Sequence, residues 1–169
     1  TRFEKTLRSA MRSTGIPFEE LDFFDGYVND EKVYSWPVFG IQGVAIQRHP
    51  FYEYHTSADV PDLIQDKLMF EALNISERFI DIIEQDYIPE YINKLPPWLT
   101  RRGLYFDSKL DSENHDKYNN NLLYNIDGKH SVLELAEKYE LNFVSVKNYL
   151  EKLLVSGVIS KCELVNEIK

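Results

Sequence analysis

The chain has 169 residues, of which 43% are hydrophobic, 14% aromatic and 28% charged, the profile of a folded protein with a real core and not of a disordered tail. A formal charge of -9 argues against a general affinity for nucleic acid or anionic lipid, since both need clustered Lys and Arg to neutralise phosphates. No run of about 18 apolar residues exists, which excludes a membrane-spanning helix.

Residues 3–13, FEKTLRSAMRS, place Phe3, Leu7, Ala10 and Met11 on one face of a predicted helix, which Gly15 and Pro17 end. With neither an initiator Met nor a signal pattern ahead of it, this run reads as cut from something longer. An acidic, aromatic loop follows. In PVFGIQGVAIQR, the short apolar run Val44, Ala45 and Ile46 behind two glycines predicts a buried strand, of the kind used by a mostly parallel sheet covered by helices. EYHTSAD, Glu53 to Asp59, then lies in a loop at the strand's end, a place where binding groups concentrate in α/β folds.

From Pro61 to about Tyr87, Leu63, Leu68, Ile75, Phe79, Ile82 and Ile83 recur at helical spacing, predicting one long helix or two joined near Asn74. Pro89, Pro96 and Pro97 break the pattern and read as an extended linker, and KLDSENHDKYNNN as a polar loop. The last fifty residues read as helix, turn at Asp127 and Gly128, helix at about 131–139, helix at about 142–155, then Gly157 and a short strand. Ser131 with Glu134 three residues on has the spacing of a capping box. Three helices and a short strand are the plan of a winged helix. The expected organisation is therefore an α/β portion over 1–88, a linker and polar loop over 89–118, and a winged helix over 119–169. The one cysteine, Cys162, cannot form an internal disulfide, which suits a reducing cytoplasm.

The chemistry-bearing residues cluster around the histidine loop. His49, Glu53, His55 and Asp59 are close in sequence but lack the helical spacing of a metal motif such as HExxH. Read from the residues alone, His55 is either a metal ligand or a loop histidine hydrogen-bonded to a nearby acid.

YHTSAD resembles the YHTxxD element of the di-zinc aminopeptidases and their glutaminyl cyclase relatives. A closer resemblance is to bacterial aminopeptidase-like proteins that carry a DERQY-type segment, an EYHTS loop, an RGLY segment and a C-terminal winged helix. Here DEKVY spans Asp30 to Tyr34, EYHTS spans Glu53 to Ser57 and RRGLY spans Arg101 to Tyr105, in that order. Lys32 and Val33 depart from the usual Arg and Gln, and Trp36 stands where a small residue is common. The resemblance covers nearly all of this chain but only the last part of such a protein.

The resemblance implies a partial zinc-aminopeptidase-like α/β domain followed by a small winged helix, with zinc as cofactor in the complete protein and a peptide or amino-acid derivative as substrate. It implies that His55 is the last metal ligand and that the other ligands lie on earlier strands this chain lacks, so that the chain alone is inactive. Glu53 or Asp59 would then orient the second ring nitrogen of His55. Asp30 and Glu31 would stand at the pocket rim to receive a free amino group; a solvated turn is the other reading. Tyr34 and Tyr54 fit packing better than catalysis. Arg48 fits a substrate carboxylate or a surface ion pair, the latter better. A truncated sheet would leave an uncovered apolar face and favour self-association or a partner chain. Two other functions stay open: a protein-interaction module with a vestigial histidine loop, and a DNA-binding regulator, which the acidic charge disfavours.

Overall fold

The computed structural model describes residues 1–26, 29–162 and 164; the parts of the acidic loop at 27–28 and of the winged helix at 163 and 165–169 lie outside the described residues. The chain divides into two compact units, Thr1–Asp81 and Ile82–Lys169.

In the first unit, α1 (Arg2–Thr14) starts with a capping box between Thr1 and Glu4 and stops at Gly15, whose φ of 69° is the left-handed conformation glycine adopts at least cost. Its buried positions are Thr6, Ser9 and Ala10, small residues in place of the larger Leu7 and Met11. The Thr6 hydroxyl donates to the Arg2 carbonyl, so its burial leaves no polar atom unpaired. Phe3 meets Phe79 edge to face at 5.5 Å, and Arg78 donates to Ser13 Oγ at 3.1 Å. Phe79 and Arg78 belong to α3 (Asp66–Gln85), one continuous helix, as one of the two sequence expectations had it. Between α1 and α3 the described residues are mostly irregular and hold only α2 (Glu31–Tyr34) and a single turn of 3-10 helix at Pro61–Leu63.

The strand expected at Val44–Ile46 is not formed, and among the described residues of 1–81 there is no strand at all. A strand is held by hydrogen bonds to a neighbouring backbone. Val44, Ala45 and Ile46 find no such neighbour among the described residues, and Ile46 is left exposed. The mostly parallel sheet is accordingly replaced by a helix-rich α/β arrangement in which, among the described residues, one small sheet forms and lies in the second unit.

That sheet pairs β1 (Ile88–Tyr91) with β2 (Ile159–Cys162) antiparallel, Ile88 opposite Cys162 and Tyr91 opposite Ile159. Pro89, read from sequence as a breaker, sits inside β1. A two-stranded sheet has an open edge beside each strand, where a missing N–H costs nothing. The segment expected to be linker and polar loop is likewise built into the second unit: Leu104, Phe106, Tyr118 and Asn119 are buried, and the chain there forms α4 (Leu99–Arg102), a π-helical turn at Lys117–Leu122 and a 3-10 turn at Leu123–Asn125.

The helices expected at 131–139 and 142–155 form as α5 (Val132–Lys138) and α6 (Phe143–Val155). Val132, Leu133, Leu135 and Ala136 of α5 are buried, as are Val146, Leu150 and Leu153 of α6. The Ser131 hydroxyl accepts from Glu134 N–H at 3.2 Å, and the Glu134 carboxylate accepts from Ser131 N–H at 3.2 Å. Val132 N–H donates to the Tyr87 carbonyl, and Leu133 N–H to the buried Asp86 carboxylate at 2.9 Å. The first turn of α5 is thus paired throughout. Ser131→Ala lowers the unfolding free energy by about 1 kcal/mol in urea denaturation, with the slope unchanged because the exposed surface on unfolding is the same.

Three aromatic residues brace the other side of this core. Phe106 stacks on Tyr118 at 3.8 Å, and Tyr149 meets both rings edge on at 5.4 and 5.9 Å. The Tyr149 hydroxyl donates to the Leu104 carbonyl, and the Tyr91 hydroxyl to the Leu123 carbonyl at 2.8 Å. Burial pushes the Tyr91 phenol up to about 12, so it stays protonated as a donor.

Candidate functional site

The sequence places its chemistry between Asn29 and Asp59, all within the first unit. Asp30 is exposed and starts α2; its carbonyl, not its carboxylate, accepts from Val33 and Tyr34 N–H. The Glu31 carboxylate accepts from Asn29 N–H at 2.9 Å. Backbone hydrogen bonds, from Asn29 first and then from its own amide, hold that carboxyl below the ordinary glutamate range. Tyr34 is exposed, as a residue on a one-turn surface helix would be.

Arg48 donates to the Glu71 carboxylate of α3 at 2.5 Å and reaches the Leu68 carbonyl at 3.4 Å. Of its two readings, the ion pair is the one present in this chain. It fastens the irregular segment before the histidine loop onto α3.

The loop itself is a hydrogen-bonded turn. Thr56 N–H donates to the Glu53 carbonyl at 3.0 Å, the Thr56 hydroxyl donates to the same carbonyl at 2.6 Å, and Ala58 N–H donates back to the Thr56 hydroxyl at 3.1 Å. Asp59 N–H closes a further turn on the Thr56 carbonyl. Inside this frame His55 is held at φ 60°, the left-handed region that L-residues enter at a cost. His55 therefore does not follow a buried strand, as the sequence suggested. It is exposed, and hydrogen bonds of the turn, not packing, fix it.

The His55 ring stacks on Tyr54 at 3.9 Å with an interplanar angle of 22°. Among the described residues no hydrogen bond joins that ring to Glu53 or Asp59, so neither acid orients it in this chain. Neither ring nitrogen has a hydrogen-bond partner among the described residues, and the residue is exposed. Among the described residues no three His, Cys, Asp or Glu side chains converge as a metal site. Zinc needs three or four donors at about 2 Å, so these residues do not fit zinc by themselves, and His55 supplies one donor.

Beside the histidine the chain forms a groove of about 230 Å³ lined by Asn29, Gln47, Phe51 and Tyr54. It brings together the turn that carries Glu31 and the loop that carries His55. Sequence reading singled out Tyr54 but missed Asn29, Gln47 and Phe51. Only Phe51 left a signal, an aromatic three residues before Tyr54 that packs edge to face on it at 5.9 Å.

In the winged helix, α6 carries the residues that would face a DNA groove. Lys147 pairs with Glu151 at 3.0 Å, and Lys161 lies 3.9 Å from the same carboxylate. One acid thus offsets two of the cations a phosphate contact would use.

No curated protein matches this sequence. A solved structure, from a "putative peptidase" of Clostridium acetobutylicum, shares the fold with a TM-score of 0.75 at 21% identity, over 95% of this chain and 36% of that one. The chain thus spans just over a third of that protein's length. Residues 89–161 match the winged helix-turn-helix family, which agrees with the helices and paired strands found there. Residues 1–86, which hold the histidine turn and its groove, match the family described as a domain of unknown function (DUF4910), and it is to this family that the chain belongs, with a winged helix following it.

Proposed function

We propose that this chain is the C-terminal portion of a zinc-dependent aminopeptidase-like hydrolase acting on a peptide or amino-acid derivative. In this reading His55 supplies one metal donor and the winged helix is an accessory module. The observation that carries it is the exposed histidine held at φ 60° by three hydrogen bonds of its turn, with no partner on its ring nitrogens among the described residues. Glycine would occupy that backbone at less cost, and a strained residue that the surrounding turn enforces is characteristic of a binding position. Glu31, kept ionised by its backbone hydrogen bonds near the groove, suits the ammonium of a substrate's free amino terminus. The fold shared with the clostridial protein agrees with this reading.

A second reading, an assembly module without catalysis, draws on the apolar side chains the first unit exposes. Phe24 and Val38 are 82% and 83% exposed, and Trp36, Phe39 and Phe70 are exposed too. Patches of that kind mark surfaces that another chain or segment covers. DNA reading by α6 is disfavoured by the Lys147–Glu151 and Lys161–Glu151 pairs.

Metal content separates the two main readings. After dialysis, mass spectrometry finds stoichiometric zinc in the complete protein and none in the 169-residue chain, whose described residues offer too few converging donors to close a site. The complete protein also turns over aminoacyl chromogenic substrates. Tightly held zinc in the isolated chain, or a complete protein with neither zinc nor turnover, overturns the hydrolase reading.

A further inference from the structure

We infer that the loop from Ile92 to Arg102, in the second unit, is a docking site for an acidic segment of another polypeptide that carries leucine or phenylalanine among its carboxylates. Both ends of this loop are fastened to one turn of the winged helix. Ile92 N–H donates to the Val158 carbonyl at 3.2 Å, and the Arg102 guanidinium donates to the Ser156 carbonyl at 3.2 Å. Compact surface loops closed at their base in this way frequently carry function. Just beyond it Leu104 is buried and its carbonyl accepts from the Tyr149 hydroxyl, so the loop is rooted in the core.

The tip presents what a folded chain ordinarily covers. Leu95 is 80% exposed, Trp98 72%, and Val155, the neighbour of Ser156, 88%. Single apolar side chains on a surface are ordinary, but a leucine and a tryptophan on one loop tip are anchors of the kind that dominate binding once desolvated. Pro96 and Pro97 lie between them. The proline rings fix φ and hold the residue before each of them extended, so the two anchors are offered with little ordering left to do.

Charge selects what covers the tip. Residues 91–106 hold Lys94, Arg101 and Arg102 and no acid, in a chain of formal charge -9. Arg102 is engaged with Ser156, whereas Lys94 and Arg101 are exposed and have no partner among the described residues. Carboxylates of an acidic segment would pair with both and set its orientation and speed of encounter, while burial of Leu95 and Trp98 supplies most of the affinity. A lipid surface or duplex DNA carries the same sign of charge but extends far beyond the loop. It would also meet the acids of the rest of the chain, and a short segment does not.

The test uses the 169-residue chain carrying Trp36→Phe, which leaves Trp98 as its one tryptophan. A ten-residue peptide of glutamates interleaved with phenylalanine and leucine moves the Trp98 emission saturably to shorter wavelength. The same peptide with lysine for glutamate, or with serine for its apolar residues, binds at least about tenfold more weakly. Lys94→Glu with Arg101→Glu, two exposed positions whose replacement leaves the circular dichroism unchanged, weakens the acidic peptide by about tenfold, and so does Leu95→Ser. No saturable shift, equal binding of the acidic and lysine peptides, or full binding by the Lys94→Glu, Arg101→Glu chain would each overturn the inference. So would a larger shift with vesicles of phosphatidylserine and phosphatidylcholine, which would assign the tip to a membrane, or with duplex DNA. Peptide docking of this kind needs neither zinc nor turnover, so it stands or falls apart from the hydrolase reading.

Discussion

In the complete protein, His55→Gly removes one equivalent of zinc and lowers turnover more than about 100-fold, yet changes the unfolding free energy by no more than about 1 kcal/mol. The two effects part because the backbone at this position suits glycine. Relief of the left-handed strain favours the variant by roughly 1–2 kcal/mol, and the extra freedom of glycine in the unfolded chain offsets most of that. The lost stacking on Tyr54 is between exposed rings and adds little. The Glu53–Thr56 hydrogen bonds use no His55 side-chain atom and persist. Glu31→Gln, by comparison, keeps the metal and changes kcat or KM. Metal analysis, turnover and urea denaturation on the same preparations check all of this. A His55→Gly protein with full zinc but markedly reduced stability would assign the histidine a structural role.

The second large effect is in the winged helix. Asn119 is 5% exposed, and its side chain acts as a substitute strand for Phe106: Oδ1 accepts from Phe106 N–H at 2.8 Å and Nδ2 donates to the Phe106 carbonyl at 3.1 Å. Asn119→Ala leaves both buried backbone groups unpaired, at about 1–3 kcal/mol each. The total, roughly 2–6 kcal/mol, is a large share of the 5–15 kcal/mol that usually holds a domain together. Chemical denaturation followed by Tyr fluorescence measures it. Asn119→Asp adds a signature in pH. A buried carboxylate facing the Phe106 carbonyl has its folded-state pKa raised, and its protonated form can donate where the amide did. The variant's deficit relative to wild type is therefore smallest below the unfolded aspartate pKa of about 4 and grows as the pH rises through the folded value. A deficit independent of pH, or an Asn119→Ala loss under about 1 kcal/mol, would mean that the clamp on Phe106 does not form.

What could be read from the sequence follows from how local each signal is. The capping box of Ser131 and Glu134 and the apolar positions of α5 and α6 lie within a few residues of one another, and both helices and the winged-helix plan were legible. Val44 to Ile46 misled because an apolar run specifies burial without specifying a partner strand. Pro89 misled in the opposite sense, since a breaker of helices is admissible at a sheet edge that only the pairing with a strand about 70 positions later, Pro89 opposite Lys161, creates. Asn119 sits in a polar run, and its partner Phe106 is 13 residues away. For the candidate site, the identity of His55 was legible and its conformation was not: φ 60° is a property of the turn that Thr56 closes.

The pairing of β1 with β2 joins the start of the second unit to its end, Tyr91 opposite Ile159 and Ile88 opposite Cys162. Seen as an event in time, that pairing is a ring closure, and closing a flexible loop of about 70 residues costs on the order of 4 kcal/mol in chain entropy. The helices between can pair their own backbones first, and once they are packed the two ends are already near each other and most of that cost has been met. On the ribosome the order is enforced: β1 emerges before β2 and waits, with its amides open to any other edge, until β2 has been made. A chain stopped just short of Ile159 would keep every helix of the winged fold and still carry a permanently open seam.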